Sequence, residues 1–255
     1  MEVVAKDSKR AILGEGTTEA EWHAWTGLQR MRATSDEGLV PAGARAVVVA
    51  PHPDDEVLTV GGLLAQLARR GTPIRVVAVT DGTASHRGSR DWPPERLVRE
   101  RPLESREALR RLGVDFEPIR LGLPDGGVGG LESWLADRLS QLLEHDDVVF
   151  TTWRGDGHPD HEATGRACAF AAVCRRVKLI EVPVWAWHWA APGDRRMPWR
   201  RARRLDLDVE ASRRKLDALR AFASQLEPDA STNRPPILRA TTVERAARPF
   251  EVLFE

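Results

Sequence analysis

Short apolar runs and amphipathic stretches alternate along the first half of the chain. Ala46–Ala50 is a continuous apolar run of the kind that forms a buried parallel strand, and Ile74–Val79 predicts a second strand. Between them, leucines at helical spacing in Glu56–Arg70 predict a helix with one apolar face, and Gly71 marks its end. This region therefore predicts a strand, a helix and a second strand.

The same alternation continues to about residue 184. Loops are predicted at residues 81–94 and 124–130, and the second is glycine-rich without the spacing of a phosphate-binding loop. Strands that alternate with helices indicate a parallel sheet covered on both faces. We therefore expect an α/β fold with a Rossmann-like, doubly wound, mostly parallel sheet and a less regular C-terminal extension. Further helices are predicted at Glu95–Leu112, Leu131–Glu144 and Pro159–Arg175, and further strands at Phe116–Leu121, Val148–Thr152 and Val177–Val184.

The pattern divides the chain into three segments of one domain. Residues 1–40 are expected to form an N-terminal arm with a helix, residues 41–190 the catalytic core, and residues 191–255 an extension that completes the same domain. The helix of the arm is predicted at Thr18–Arg32, and the extension is predicted to hold a strand at Leu205–Leu207, a helix at Ala211–Phe222 and a last strand at Phe250–Phe254.

An arginine-rich segment and a row of three tryptophans lie near the start of the extension. Ala191–Arg204 holds six arginines and predicts an exposed, solvated loop, with contact to an anionic partner as the alternative. Trp185, Trp187 and Trp189 alternate with smaller residues, which predicts a strand with all three indoles on one face. That row either packs beneath the extension or in a subunit interface, or one or more of its rings line the mouth of a substrate site.

Composition narrows the class of protein. The 255 residues include 38 Lys plus Arg and 38 Asp plus Glu, so the zero formal charge gives no sign of a nucleic-acid or anionic-membrane partner. Cys168 and Cys174 lie in one predicted helix on different faces, so both are expected to be buried, unbonded thiols. No apolar run suits a signal peptide or a membrane span. We expect a soluble, cytoplasmic protein whose oligomeric state is open.

Histidine and aspartate cluster where two predicted strands end. Pro51-His52-Pro53-Asp54-Asp55-Glu56 follows the first strand, and Asp156-Gly157-His158-Pro159-Asp160-His161 follows the fourth. Ligands of open α/β sheets bind at the carboxyl ends of the strands. A turn brings His52 and Asp55 together, while His158 and His161 share a helix face. The two clusters are therefore expected to form one site.

Two histidines and one aspartate leave one coordination position open, which is typical of a catalytic zinc. Zinc lowers the pKa of a bound water to about 7 and polarises a carbonyl group. Asp54 leaves the chain in a different direction from Asp55 and so can accept the water's proton. The histidine that does not bind the metal can stabilise an oxyanion or protonate a leaving amine.

These residues resemble the LmbE-like, or PIG-L-type, zinc-dependent de-N-acetylases. The resemblance lies in the two strand-end motifs, in Thr80-Asp81-Gly82 and in the run Arg101–Gly113. The chain departs from the family pattern at Thr59, where glycine is frequent, and at Pro102, which is expected to interrupt the middle helix. Both departures are expected to reshape the mouth of the site. The resemblance implies one Zn²⁺ per chain held by His52, Asp55 and His161, with Asp54 as general base, His158 for oxyanion and acid work, and Asp160 orienting His158.

The family resemblance also implies a substrate class. We expect hydrolysis of an N-acyl group, in the first place acetyl, from a small sugar-like amide, with other divalent ions as alternatives to zinc. An amidase acting on a larger acyl or thiol conjugate and a non-catalytic sugar-binding relative are the alternative functions. Asp81 after the second strand, His86 and Arg87 in the long loop, and Trp189 are candidate substrate contacts, although each also fits a turn, solvated or packing role.

Overall fold

The fold is built on one sheet of eight strands. The computed structural model describes residues 10–12 and 14–255, so residues 1–9 and 13 of the predicted N-terminal arm lie outside the described residues. The strands of this part of the chain are β1 (Arg32–Thr34), β2 (Arg45–Ala50), β3 (Ile74–Thr80), β4 (Ile119–Leu123), β5 (Asp147–Thr152), β6 (Lys178–Val182), β7 (Ala202–Asp206) and β8 (Phe250–Phe254). They lie side by side in the order β1-β7-β8-β6-β5-β2-β3-β4.

Eleven α-helices accompany the sheet in the described residues. The long ones are α4 to α7 and α9, and two further single turns lie at Val128–Leu131 and Trp199–Arg201. The helices are α1 (Glu19–Ala24), α2 (Thr26–Gln29), α3 (Asp36–Leu39), α4 (Asp55–Arg69), α5 (Pro94–Leu112), α6 (Glu132–Leu142), α7 (Pro159–Arg175), α8 (Ala186–Trp189), α9 (Val209–Leu219), α10 (Ala223–Leu226) and α11 (Ala240–Ala246).

The sheet is parallel except at β8, which runs antiparallel to β6 and β7. From β2 the chain moves outward through β3 to β4, and it then returns to the other side of β2 as β5 and β6. The strand order therefore reverses between β2 and β5, which is where ligands bind in doubly wound folds. The predicted fold class is confirmed, and both His/Asp motifs follow the two strands that flank this point.

Helices cover both faces of the sheet because the buried strands alternate their apolar side chains between two cores. Val48 of β2 packs with Leu63 and Leu64 of α4 in one core, while Val49 packs with Leu139 of α6 in the other. Successive side chains of a strand point to opposite faces, so a continuous apolar run serves both cores. This is the pattern that predicted a sheet buried on both sides.

Several helix ends follow the sequence signals closely. Pro94 opens α5 at a position where its missing amide hydrogen is no loss, and Gly113 ends it with a left-handed φ of 88°. The predicted interruption at Pro102 is wrong, because α5 continues through that residue. Thr59 is buried in α4, and its hydroxyl donates to the Asp55 carbonyl.

The two ends of the chain differ more from expectation. The helix predicted at Thr18–Arg32 is divided into α1 and α2, because Trp25 between them is extended with ψ at 114°. The three-residue strand β1 was not predicted, since so short a segment shows no periodicity. The prediction of a loop at Ala191–Arg204 is wrong for its last three residues, because β7 begins at Ala202 and pairs with β8. The prediction of a last strand at Phe250–Phe254 is confirmed.

The predicted tryptophan strand is wrong. Residues 186–189 form the short helix α8, and the three indoles point to different neighbours. The Trp187 ring centroid lies 4.8 Å from that of Trp22, whereas Trp189 stacks on Trp153 at 6.4 Å. One further expectation also fails, because Cys174 is exposed while Cys168 is buried. Among the described residues, no helix has both the length and the apolar character that crossing a membrane requires.

Candidate metal centre and active site

The turn between β2 and α4 has an unusual backbone. Asp54 adopts φ 117° and ψ −31°, a conformation that non-glycine residues rarely take and that costs of order 1–3 kcal/mol. The turn is held by the Asp54 amide, which donates to Glu56 Oε2 at 3.0 Å, and by the Asp54 carbonyl, which accepts from Val57 and Leu58. This strained turn directs the adjacent carboxylates of Asp54 and Asp55 to different surroundings.

Asp55 lies between two imidazole rings. Its Oδ2 is 3.2 Å from His52 Nδ1 and 3.2 Å from His161 Nε2. Ligand atoms of a tetrahedral zinc with bonds of roughly 2.0–2.1 Å are about 3.3 Å apart, so the distance from Asp55 to each histidine is compatible with such an ion. Asp55 and His161 are buried, whereas His52 is partly exposed. The structure thus brings together the three residues that the sequence nominated as ligands, from the start of α4 and of α7.

Asp156 fixes the orientation of His161. Its Oδ2 lies 2.8 Å from His161 Nδ1, which leaves Nε2 to face Asp55. The Asp156 carboxylate is itself anchored, because it accepts from the amides of Val184, Trp185 and Ala186 at 2.8–3.0 Å. A carboxylate behind a histidine ligand is a common means of setting its tautomer and basicity. Sequence reasoning missed this role, although Asp156 opens the second strand-end motif.

Asp160 supports His52 rather than His158. Its Oδ2 lies 3.3 Å from His52 Nε2, and the same oxygen accepts from the Gly126 amide at 2.7 Å. The contact with His158 is made by the Asp160 amide, which donates to His158 Nδ1 at 3.3 Å. The expectation that the Asp160 carboxylate orients His158 is therefore corrected: the backbone of residue 160 does so.

Asp125 is a second carboxylate on His52 that sequence reasoning missed. Its Oδ1 lies 3.3 Å from His52 Nε2, and its Oδ2 accepts from the Ala84 amide at 2.7 Å. It belongs to the glycine-rich loop after β4, which was predicted only as a flexible connection. Its position just after a strand is the same signal that drew attention to the other two motifs.

Two donor sets have all their ligand atoms close to one another, and neither of them contains Asp55. In the described residues, ligand atoms of His52, His158 and His161 are within 4.8 Å of one another, as are those of His52, Asp125 and Asp160. The first set exchanges Asp55 for His158. We favour Asp55 because a single one of its oxygens lies 3.2 Å from a nitrogen of His52 and 3.2 Å from a nitrogen of His161.

The charges of the centre favour a cation. Burial alone would lower the pKa of His161, but Asp55 and Asp156 overcome it and raise that pKa to about 9. Burial opposes ionisation of Asp55, yet His161 and His52 hold the pKa of its carboxyl far below the usual range. The field that retains a proton on His161 equally favours a divalent ion, whose binding would release that proton.

Asp54 stands beside the predicted ligand set and is paired with Arg101. Its Oδ2 lies 3.1 Å from Arg101 Nη2. Burial raises the pKa of Asp54 to about 8, with Arg101 acting in the opposite direction. A carboxylate with a pKa near neutrality suits a general base.

Arg101 is itself almost completely buried, and backbone groups fix its position. It donates from Nη1 to the Gly82 carbonyl at 2.8 Å and from Nη2 to the Pro53 carbonyl at 2.5 Å. Gly82 has a φ of 65°, and a Cβ there would lie 1.7 Å from Arg101 Nη1, so only glycine allows this approach. The predicted Thr80-Asp81-Gly82 signature thus positions the arginine that pairs with Asp54.

His158 caps α7 and remains partly open to solvent. Because its Nδ1 accepts from the Asp160 amide, the neutral ring carries its hydrogen on Nε2. Burial lowers the pKa of His158 to about 3, and His161 and His52 add to that effect. The ring is therefore a neutral hydrogen-bond donor, 5.0 Å from the His52 ring between centroids.

The four predicted substrate contacts have different surroundings in the structure. Asp81 forms a two-pronged ion pair with Arg120 at 2.8 and 2.9 Å. His86 is buried with its Nδ1 2.9 Å from Ser85 Oγ, and Arg87 is exposed. Trp189 donates from Nε1 to the Asp156 carbonyl at 2.7 Å. Of the four, Trp189 contacts a residue that supports the predicted ligand set.

Comparison with known proteins identifies a family of de-N-acetylases. A model of the family described as PIG-L, GlcNAc-PI de-N-acetylase, matches residues 47–172. A protein of Corynebacterium efficiens named 1D-myo-inositol 2-acetamido-2-deoxy-alpha-D-glucopyranoside deacetylase is 28% identical, over 82% of this chain and 81% of its own length. A protein of the same name from Mycobacterium sp. strain KMS is 33% identical, but the match covers 58% of this chain and 54% of that protein.

A solved structure supports the fold over most of the chain. The conserved protein TT1542 from Thermus thermophilus is 30% identical to this chain, with a TM-score of 0.54. The match covers 72% of this chain and 80% of that protein. The matched family segment runs from β2 to α7, so it includes His52, Asp55 and His161.

Proposed function

Because the chain belongs to the PIG-L family of de-N-acetylases, we propose that it is a zinc-dependent hydrolase that removes the acetyl group from a 2-acetamido sugar derivative. The observation that carries the proposal is the position of Asp55 Oδ2, 3.2 Å from a nitrogen of His52 and 3.2 Å from a nitrogen of His161. The names of the curated relatives support the sugar class, since both are deacetylases of an acetamido glucopyranoside linked to inositol.

Zinc is the metal proposed because the donor set combines two imidazoles with one carboxylate. This is a frequent ligand set of catalytic zinc sites, which keep one position open. Zinc bound there would polarise the amide carbonyl and lower the pKa of the attacking water. The partial exposure of His52 and His158 places the open side of the centre toward solvent.

The residues around the centre divide the proton chemistry between them. Asp54 takes a proton from the water as its oxygen attacks the amide carbon, and Arg101 holds the carboxylate in place during that step. His158 donates from Nε2 to the carbonyl oxygen as negative charge develops there, which stabilises the transition state. The proton on Asp54 then passes to the amide nitrogen. The carbon–nitrogen bond breaks, and acetate and a free amine leave.

Removal and return of the metal test this proposal. Purified protein should contain about one divalent ion per chain, a chelator should abolish acetate release, and zinc should restore it. Acetate can be measured with N-acetylglucosaminyl inositol and with simpler N-acetylated sugars as substrates. Full activity in metal-stripped protein would exclude the proposal. Bound zinc without acetate release from any such sugar would favour the non-catalytic or larger-acyl alternatives.

A further inference from the structure

A cleft on the outer part of the sheet is distinct from the metal centre. It has a volume of about 300 Å³ and lies where β1 and β7 begin, beside α2. None of the nine residues that line it belongs to the predicted ligand set. Its walls are formed mainly by two tryptophans and four arginines: Trp25, Trp199, Arg30, Arg32, Arg200 and Arg203.

The positive charge in this cleft is largely uncompensated. Arg203 pairs with Glu255 Oε2 at 2.9 Å. Within residues 10–12 and 14–255, no carboxylate lies within ion-pair distance of Arg30, Arg32 or Arg200, and no acidic residue lines the cleft. Some arginines outside the cleft are paired within their own helix, as Arg213 is with Glu210 at 2.9 Å. Arg30, Arg32 and Arg200 thus bring three positive charges to one cleft without a neutralising carboxylate among the described residues.

The strand register adds to this imbalance. Arg32 of β1 is directly opposite Arg203 of β7 in a parallel pair, so both side chains leave the same face of the sheet. Like charges at such positions destabilise strand pairing. β1 is only three residues long and lies at the sheet edge, so it has little other pairing to offset the repulsion. Glu255 already offsets the charge of Arg203, and an anion bound to Arg32 would reduce the repulsion that remains.

The aromatic walls are held in position before any ligand arrives. The Trp25 and Trp199 ring centroids are 4.7 Å apart with the planes tilted by 57°. Trp25 folds over Gly27, where a Cβ would lie 2.1 Å from the indole, and Trp199 Nε1 donates to the Asp194 carbonyl at 2.7 Å. Both rings also contact the buried indole of Trp22. The rings therefore present fixed apolar faces to the cleft.

We propose that this cleft is a second ligand site, which binds a planar aromatic ring carrying a phosphate, as in a nucleoside monophosphate. The ring would pack on Trp25 and Trp199, since flat aromatic faces favour stacking. The phosphate would bind Arg30, Arg32 and Arg200, because guanidinium groups match its oxygens in charge and geometry. The volume is at the lower end of the range for small-molecule sites. This assigns a role to the arginine-rich segment 195–204 that deacetylation leaves unused.

Titration calorimetry of the zinc-loaded enzyme with AMP tests the proposal. Wild-type protein should bind one AMP per chain, and the double variant Arg32→Gln/Arg200→Gln should bind it at least about tenfold more weakly, since two charge-assisted contacts are lost. Arg30→Gln provides a second variant at an exposed position if the double variant is unstable. Arg213→Gln, which removes an arginine outside the cleft, is the matched control. The cleft variants should keep wild-type deacetylase activity.

Further titrations test the phosphate and the aromatic ring of the ligand separately, and they distinguish binding in the cleft from binding at the metal centre. Inorganic phosphate and adenosine should each bind at least about tenfold more weakly than AMP, because each engages only one wall. His161→Ala, which removes a predicted metal ligand, should still bind AMP. The proposal is overturned if wild-type protein shows no AMP binding, if His161→Ala abolishes it, if Arg213→Gln weakens it as much as the cleft variants, or if inorganic phosphate binds as tightly as AMP.

Discussion

At the residue scale, adjacent aspartates have different surroundings and therefore different proposed roles. Asp55 contacts two imidazoles, whereas Asp54 contacts the guanidinium of Arg101. The positive φ of Asp54 makes this division possible, because it turns one carboxylate away from the other. The sequence could nominate both residues from their motif. It could not nominate Arg101 as the partner, because that residue is 47 positions away and its role depends on the path of α5.

His158 is expected to act on the transition state without holding the metal. His158→Ala should retain the metal and reduce kcat by about 10²–10³, with a smaller change in KM, as for other lost oxyanion donors. Metal analysis and steady-state kinetics would measure both quantities. His145→Ala is the matched control, since that histidine is exposed and remote from the motifs, and it should behave as wild type. Loss of metal from His158→Ala would instead support the three-histidine donor set.

At the element scale, the sequence predicted those helices whose ends depend on nearby residues, and it failed where an element depends on a distant part of the chain. Proline and glycine mark the ends of α5, and α7 begins and ends as its sequence predicted. The segment Trp185–Trp189 was wrongly predicted as a strand because its residues alternate in the way that is typical of one. Its helical start is instead fixed by a long-range contact, since the amides of Trp185 and Ala186 donate to the Asp156 carboxylate some thirty residues earlier in the chain. β1 was missed for a related reason, since its pairing partner β7 lies far along the chain.

Trp189 is expected to support the site by packing. It stacks on Trp153 and donates to the Asp156 carbonyl. Trp189→Ala should lower the free energy of unfolding by about 2 kcal/mol, less than for a fully buried tryptophan, and the Tm by about 4–8 °C. Calorimetry would test this. Trp134→Ala, at an exposed indole of α6, should change stability by less than about 0.5 kcal/mol. A several-fold rise in KM with an unchanged Tm would make Trp189 a substrate contact.

At the scale of the whole molecule, the C-terminal extension completes the sheet and supports the helix that carries Asp55. α4 is kinked at Val60, and the amides of Gly62 and Leu63 donate to the Glu251 carboxylate of β8 at 2.7 and 3.1 Å. Lys215 of α9 neutralises Glu251 at 2.7 Å. The extension is therefore joined to the centre of the fold, although the sequence predicted it only as less regular.

The buried ion pair of Lys215 and Glu251 should contribute strongly to the free energy of unfolding. Glu251→Gln keeps the shape of the side chain but leaves Lys215 without its counter-charge, which should reduce the free energy of unfolding by about 3–5 kcal/mol. Denaturant titration would measure the change, and adding Lys215→Met should recover part of it. Glu107→Gln breaks a surface pair on α5 and should cost less than about 1 kcal/mol. Equal effects of Glu251→Gln and Glu107→Gln would contradict this account.

The two motifs converge at one edge of the sheet, and the topology explains why the sequence could predict this. β2 and β5 are neighbours at the reversal of strand order, so the loops after them meet whatever the details of the outer strands. Asp125 and Asp156 were missed as supports because only the folded chain brings them to His52 and His161. Within this centre, Asp55 is proposed to hold the metal and Asp54 to accept the proton.

A paired measurement of metal content and acetate release in Asp54→Asn and Asp55→Asn tests the proposed roles of the two carboxylates. Asp54→Asn should keep about one zinc per chain while its rate falls by about 10²–10⁴, the usual contribution of a positioned base. Asp55→Asn should lose both the metal and the activity, because it removes a ligand that lies 3.2 Å from each imidazole. The account would be contradicted if Asp54→Asn lost the metal while Asp55→Asn retained it.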